Sequence, residues 1–321
     1  MALPLPKLIV TLGPASAGHV ADLVAAGADA FRLNASHLGS DDLCGWFGQV
    51  RAAAPIHPVV IDLQGAKLRL GRFAERAVAA GDRVRFALAA AGAEIPLPHP
   101  EVFATARAGD TLRLDDDRVH LRVDAVTASA LDAVALHDAV LKPRKGLNLA
   151  DHPVELEDLI EADQAALRCA TRCPDVSFAV SFVSDGRELG WIRRRPLGCP
   201  VIAKIERREA IEHLRRIEET ADDLWLCRGD LGAQLGLEEM AAFVARFRPE
   251  EHPRPVYMAG QVLEHLTAHA DPTRAEVCHL FDLVFRGYAG VVLSDETAIG
   301  RDPVAATATA ARLLRAAWKA R

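Results

Sequence analysis

The sequence predicts an α/β fold, a (β/α)8 TIM barrel with a small β-rich domain inserted after the third barrel strand. Three observations carry that reading. First, eight short runs are apolar on both alternations, as parallel strands buried on two faces must be. They are 8–12 (LIVTL), 30–34 (AFRLN), 58–63 (PVVIDL), 176–182 (VSFAVSF), 200–205 (PVIAKI), 223–228 (DLWLCR), 255–259 (PVYMA) and 290–294 (GVVLS). Second, amphipathic segments of helical length lie between most of them, at 18–27, 40–53, 156–172, 184–195, 207–220, 237–247 and 261–269, with a last helix at 303–319. Eight strand-then-helix units in one chain favour a barrel over an open doubly wound sheet. Third, residues 66–142 break the rhythm with short alternating strands and turn signals, Ala80-Gly81-Asp82 and Ala108-Gly109-Asp110 among them. The expected domains are therefore 1–65 with 143–321 for the barrel, and 66–142 for a β-barrel-like insertion.

The 321 residues are 50% hydrophobic and 26% charged, enough apolar surface for a sizeable core and too much for a disordered chain. A formal net charge of -6 argues against a nucleic-acid partner, whose footprint is basic. Apolar stretches are interrupted within about ten residues, short of the roughly 20 that span a bilayer, so no membrane partner is expected. Met1–Lys7 has no basic region followed by an apolar run, and no secretory leader is expected. The six cysteines (44, 169, 173, 199, 227, 278) form no CxxC pair, and most sit in apolar runs. They read as buried free thiols in a reducing, cytoplasmic setting.

Polar residues at the carboxyl ends of barrel strands are where chemistry concentrates in this fold. Strand 2 runs into Arg32, Asn34, Ser36 and His37. Strand 3 ends Asp62-Leu63-Gln64-Gly65-Ala66-Lys67-Leu68-Arg69. Strand 5 ends with Lys204 and Glu206, strand 6 with Arg228-Gly229-Asp230, and strand 8 with Ser294-Asp295-Glu296-Thr297. A salt bridge or a helix cap accounts for any one of these, but not for eight on five strands of one rim. Glu206 and Asp230 are hard oxygen donors suited to Mg2+ or Mn2+ rather than zinc. Arg32, Arg69, Lys204 and Arg228 can neutralise phosphate or carboxylate charge. The combination points to phosphoryl transfer, where positioning and charge stabilisation do most of the catalysis.

At these residues the chain resembles the pyruvate kinase family over almost its whole length. The matching motifs are Leu8–Ser16, Phe31-Arg32-Leu33-Asn34-Ala35-Ser36-His37, Asp62–Arg69, Lys145-Gly146-Leu147-Asn148-Leu149, Ala203-Lys204-Ile205-Glu206, Cys227-Arg228-Gly229-Asp230-Leu231-Gly232, Pro272–Glu276 and Leu293–Ala298. The resemblance implies phosphoryl transfer between phosphoenolpyruvate and ADP, giving pyruvate and ATP. It implies that Glu206 and Asp230 hold Mg2+ or Mn2+, and that Lys204 stabilises the transferring phosphoryl group and the enolate. Arg32 would contact the phosphate, with Ser294 on the same catalytic rim. The backbone of Arg228-Gly229-Asp230 would take the substrate carboxylate, and Asn34, His37, Arg69 and Lys145 would face the nucleotide. The inserted domain would close over the site and exclude water.

Asn34, Ser36, Asp62 and the Leu63 carbonyl match the family's potassium ligands. Leu63-Gln64 and Lys67, however, resemble the potassium-independent branch, in which an ammonium group stands in for the monovalent cation. A Lys67–Asp62 surface bridge is the plainer alternative. Three departures stand out. The chain ends at Arg321, where the family continues into a C-terminal α/β domain, so control through that domain is expected to be absent. Gly260 replaces a threonine that helps position and protonate the enolpyruvate. Asp295 and Asp42 lie where members carry a glycine and an aromatic. Two alternatives follow: a metal-dependent kinase, lyase or aldolase acting on another 2-oxo acid or enol-phosphate, and a non-catalytic ligand-binding paralogue. A homo-oligomer is an open expectation.

Overall fold

Each of the eight apolar runs forms a parallel strand, because each can bury both faces only by having helices outside and packed side chains inside. In the computed structural model, which describes residues 4–36, 38, 40–92, 94–115, 118–149, 151–152, 154–170, 175–195 and 197–321, the strands close into a barrel. They are β1 (Lys7–Leu12), β2 (Ala30–Asn34), β3 (Val59–Leu63), β4 (Val176–Val180), β5 (Val201–Ile205), β6 (Asp223–Cys227), β7 (Val256–Ala259) and β8 (Gly290–Leu293). Each pairs in parallel with its sequence neighbours, and β8 closes on β1. Register brings Arg32 beside Thr11 and Val60, and Asn34 beside Asp62, so the polar ends of β1, β2 and β3 lie level on one rim. Ile9, Val60, Ile202, Trp225, Tyr257 and Val292 fill the barrel interior.

The chain divides into two compact units, Met1–Gly65 with Asp158–Arg321, and Ala66–Glu157. The second unit runs on to Glu157 rather than stopping at 142, because Leu147–Leu149 pairs antiparallel with Thr111–Leu114. That pairing completes a six-stranded sheet, beside a two-stranded one of Arg76–Val78 and Ala139–Leu141. In Val119–Val126 the first five residues alternate: Val119, Leu121 and Val123 are buried while His120 and Arg122 face outward.

Two expected helices change. The 261–269 segment makes only a 3-10 turn at Glu264–Thr267, because Gln261 is held at a φ of 54° and helical hydrogen bonding cannot start there. The helix between β7 and β8 is Arg274–Phe285, begun by a reciprocal capping box between Thr273 and Glu276. The 207–220 segment splits at His213 into Arg208–Glu212 and Leu214–Thr220. The expectation of free thiols is also corrected. Cys44 and Cys169 form a disulfide joining the helices Ser40–Ala53 and Glu161–Ala170, a pairing across 125 residues that no local spacing signals. Cys227 is a buried free thiol, Cys199 is half-buried and Cys278 exposed, while Cys173 lies outside the described residues. Among the described residues no helix is long and apolar enough to cross a membrane.

Where β3 ends, the chain turns sharply at Gly65, whose φ is 60°. A Cβ there would fall 2.2 Å from the Ser181 carbonyl oxygen. The backbone N–H groups of Gln64 and Gly65 donate to the two carboxylate oxygens of Asp163, at 2.9 and 2.8 Å. Burial pushes the Asp163 carboxyl up to about 7, against the lowering pull of those two donors.

Two outcomes are expected. Gly65→Ala combines left-handed strain with a backbone clash and should lower unfolding stability by roughly 3 kcal/mol, read by urea denaturation. For Asp163, the folded state keeps a proton that the unfolded chain releases, so stability should fall as pH rises from about 4 to about 7. Asp163→Asn cannot ionise, and its urea midpoint should fall less over that window; equal slopes would remove Asp163 as the cause.

Candidate active site

Lys204 is the last residue but one of β5, its ammonium is buried, and three acceptors surround it. Asp62 Oδ2 lies at 3.1 Å, Glu206 Oε1 at 2.9 Å and Ser181 Oγ at 2.8 Å. An ammonium has three protons, so all of them are engaged. Asp62 in turn accepts from Arg32 Nε and Nη2 at 2.8 and 2.5 Å, while Arg32 Nη1 donates to Thr11 Oγ1 at 2.9 Å. Ser181 passes its own proton to the Leu63 carbonyl at 2.8 Å. Glu206 uses its second oxygen to accept the Phe182 N–H at 2.9 Å. Two cations and two carboxylates thus balance inside the protein, where an unpaired charge would be very costly.

The electrostatics follow from that pairing. Burial works against the Lys204 ammonium, but Asp62 and Glu206 outweigh it and hold its pKa well above the ordinary lysine range. Burial likewise opposes the Asp62 carboxylate, and Lys204 and Arg32 pull it below its usual value. Lys204 therefore stays charged through the physiological range and acts as a fixed positive charge, not as a proton donor.

A second cluster forms where β6 and β7 end. The helix Arg228–Leu235 begins directly after β6, with Arg228, Gly229 and Asp230 in its first turn. Across from it lies Gly260, at a φ of 78°, followed by Gln261 at 54°. A Cβ on Gly260 would be 3.6 Å from the Gly229 amide nitrogen and 3.9 Å from that of Arg228. A Cβ there would therefore meet both amides in ordinary van der Waals contact. Arg228 reaches across to donate to the Gly260 carbonyl at 2.9 Å and to the Gln261 carbonyl at 2.6 Å. Fully buried Glu296 ties the ends of β7 and β8, accepting from the Leu263 and Ser294 amides at 2.9 and 2.7 Å.

The other sequence-derived candidates fall as follows. Asn34 Oδ1 accepts from both the amide and the hydroxyl of Ser36, at 3.2 and 2.7 Å. Arg69, Lys145 and Lys67 belong to the second unit. There Arg69 Nη1 donates to the Arg144 carbonyl at 3.1 Å, Lys145 pairs with Asp115 at 2.7 Å, and Lys67 is buried. His37 lies outside the described residues. Among the described residues no group of three or more histidine, cysteine or carboxylate side chains is gathered for a metal. Hard carboxylate oxygens such as those of Glu206 and Asp230 are the type that suits a Mg2+-type cation drawing further ligands from substrate and water. Sequence reasoning missed Thr11, Ser181 and Asp163. Ser181 lies inside the run read as strand 4, and a lone serine in an apolar run carries no signal until β4 and β5 are seen side by side.

Removing one partner from the buried charge cluster should be costly. Asp62→Ala leaves Arg32 and Lys204 short of a counter-charge and is expected to lose about 3–5 kcal/mol of unfolding stability. Exposed Asp295→Ala should stay within about 0.5 kcal/mol. Urea denaturation of both variants checks the contrast.

The sequence model of the family described as pyruvate kinase, barrel domain, matches residues 4–307. A pyruvate kinase of Mycobacterium tuberculosis is 34% identical over 325 residues, covering 96% of this chain and 69% of that protein. One of Agrobacterium vitis is 32% identical over 327 residues, covering 96% of this chain and 67% of that protein. The crystal structure of pyruvate kinase from Pyrobaculum aerophilum matches with a TM-score of 0.81 at 25% identity, over 98% of this chain and 74% of that one. Fold, motif order and these likenesses agree: the chain belongs to the pyruvate kinase family and carries its barrel.

Proposed function

We propose that the protein transfers a phosphoryl group between phosphoenolpyruvate and ADP with Mg2+ or Mn2+. The observation that carries this reading is the buried Lys204 ammonium held between Asp62 and Glu206. It is a permanent positive charge beside a carboxylate of the expected metal pair. In the forward direction the bond from phosphorus to the enol oxygen breaks, a bond to the nucleotide's terminal oxygen forms, and the enolate takes a proton at its methylene carbon. Glu206 and Asp230 would hold the divalent cation, which supplies Lewis-acid charge to substrate oxygens. Lys204 offsets the charge that moves onto the phosphoryl and enolate oxygens, exchanging one of its three present partners to do so. Arg32, fixed by Asp62 and Thr11, presents its guanidinium to the phosphate. The first amides of the helix Arg228–Leu235 take the substrate carboxylate. Asn34 is offered to nucleotide phosphates, a role the family resemblance also gives to Arg69 and Lys145. Ser294 is the hydroxyl proposed to relay the final proton in place of the missing threonine.

Potassium is proposed to be dispensable. Three of the four members of the corresponding ligand set already accept a hydrogen bond, Asn34 from Ser36, the Leu63 carbonyl from Ser181 and Asp62 from Arg32, while the Ser36 hydroxyl donates. The role of monovalent charge is proposed for Lys67 on the likeness of Leu63-Gln64 and Lys67 to the potassium-independent branch.

A second reading is favoured by Gly260 alone. With no side chain at Gly260, where a Cβ would stand 3.6 Å from the Gly229 amide nitrogen, an enol-phosphate or 2-oxo acid bulkier than phosphoenolpyruvate or pyruvate could take that place.

The test is ATP formation from phosphoenolpyruvate and ADP with Mg2+ or Mn2+, with and without potassium. Turnover is expected without potassium and should drop by at least 100-fold in Lys204→Met; Lys67→Met should become potassium-dependent or inactive. Absence of turnover in the wild type, together with turnover of a longer enol-phosphate, would replace the first reading with the second. Gly260→Thr is a poor probe, since its φ of 78° would strain any threonine.

A further inference from the structure

Arg228 is half-buried, yet among the described residues it forms no ion pair. Its donors go to neutral acceptors: the Gly260 carbonyl at 3.2 and 2.9 Å, the Gln261 carbonyl at 2.6 Å and His279 Nε2 at 2.9 Å. A guanidinium cannot accept a hydrogen bond, so His279 must present the Nε2 lone pair and carry its proton on Nδ1. Burial and the Arg228 charge push the His279 imidazolium down to about 4, with Arg286 adding to that effect and Asp282 opposing it. The ring is therefore neutral at ordinary pH, which is the form this contact requires.

The contact joins three elements. His279 sits on the helix Arg274–Phe285, Arg228 opens the helix Arg228–Leu235, and Gly260-Gln261 is the left-handed turn at the end of β7. Both carbonyls of that turn face the same guanidinium, and consecutive positive φ angles with a non-glycine second residue persist only where the surroundings hold them. The same turn stands across from the Gly229 amide. The guanidinium thus fixes the distance between the turn and the amides offered to the substrate carboxylate, and the imidazole fixes the guanidinium.

We propose that His279 is a positioning residue, a neutral acceptor that holds Arg228 as a clamp on the Gly260–Gln261 turn and so shapes the carboxylate end of the substrate pocket. The substrate part rests on the phosphoenolpyruvate reading; the clamp itself does not.

His279→Leu removes the acceptor at similar volume, and His279→Gln restores one as a side-chain carbonyl. KM for phosphoenolpyruvate and for ADP, kcat, thermal midpoint, and amide hydrogen exchange of the 260–263 segment are measured for each. The leucine variant is expected to raise KM for phosphoenolpyruvate about tenfold. KM for ADP should stay within about twofold and exchange at 260–263 should accelerate. The glutamine variant should return both readouts to within about threefold of wild type. Equal weakening of both substrates with a lowered thermal midpoint in both variants would make His279 merely structural and overturn the proposal. Unchanged exchange and unchanged KM in the leucine variant would also overturn it. If the wild type neither turns over nor binds phosphoenolpyruvate, the functional reading fails and the clamp is judged by exchange alone: faster in leucine and restored in glutamine supports it, no change rejects it. Should His279→Leu not fold, Arg228→Lys asks the same question, because one ammonium cannot span the acceptors that the guanidinium reaches.

Discussion

Two cations and two carboxylates, taken out of water together at the ends of β2, β3 and β5, constrain everything around them. Each of Arg32, Asp62, Lys204 and Glu206 would be expensive to bury alone, and as a set they are tolerable only while every hydrogen bond between them is kept. That requirement explains why uncharged groups nearby are so fully engaged. Thr11 and Ser181 complete the donor and acceptor count of Arg32 and Lys204. The Phe182 amide occupies the second oxygen of Glu206. Two positive and two negative charges balance within the cluster.

Around that cluster the loops are held by carboxylates acting on backbone amides. Asp163 grips the turn after β3, Glu276 caps the helix after β7, and Glu296 joins the segments following β7 and β8. These carboxylates carry no chemistry of their own; they set loops whose conformations would otherwise be open. The turn at Gly260 shows how far such a setting can go. Its left-handed backbone points two carbonyls at Arg228.

Much of the site was legible in the sequence because barrel strands are short and their last residues fall on one rim. Arg32, Asp62, Lys204 and Glu206 were each recognisable as a polar residue at the end of an apolar run, and they do converge. Asn34 ends β2, while Ser294 directly follows β8 and Asp230 lies in the first turn of the helix after β6. Thr11, Ser181 and Asp163 were not legible, because their roles depend on a neighbour many residues away. Ser181 matters only through Lys204 and Leu63, and Asp163 only through an amide pair 98 and 99 residues earlier in the chain. The disulfide between Cys44 and Cys169 was invisible for the same reason.

By itself, the sequence determined the barrel, the position of the inserted unit after the third strand, and which residue types stand on the rim. Those follow from local periodicity and from the alternation of strand and helix, which are written in adjacent residues. Only the tertiary structure decided which charges pair, that Lys204 spends all three protons, and that the second unit extends to Glu157. It also decided that the segment after Gly260 is a left-handed turn rather than a helix. Those outcomes depend on contacts between residues distant in the chain, and burial makes each contact obligatory only after the strands have been brought side by side.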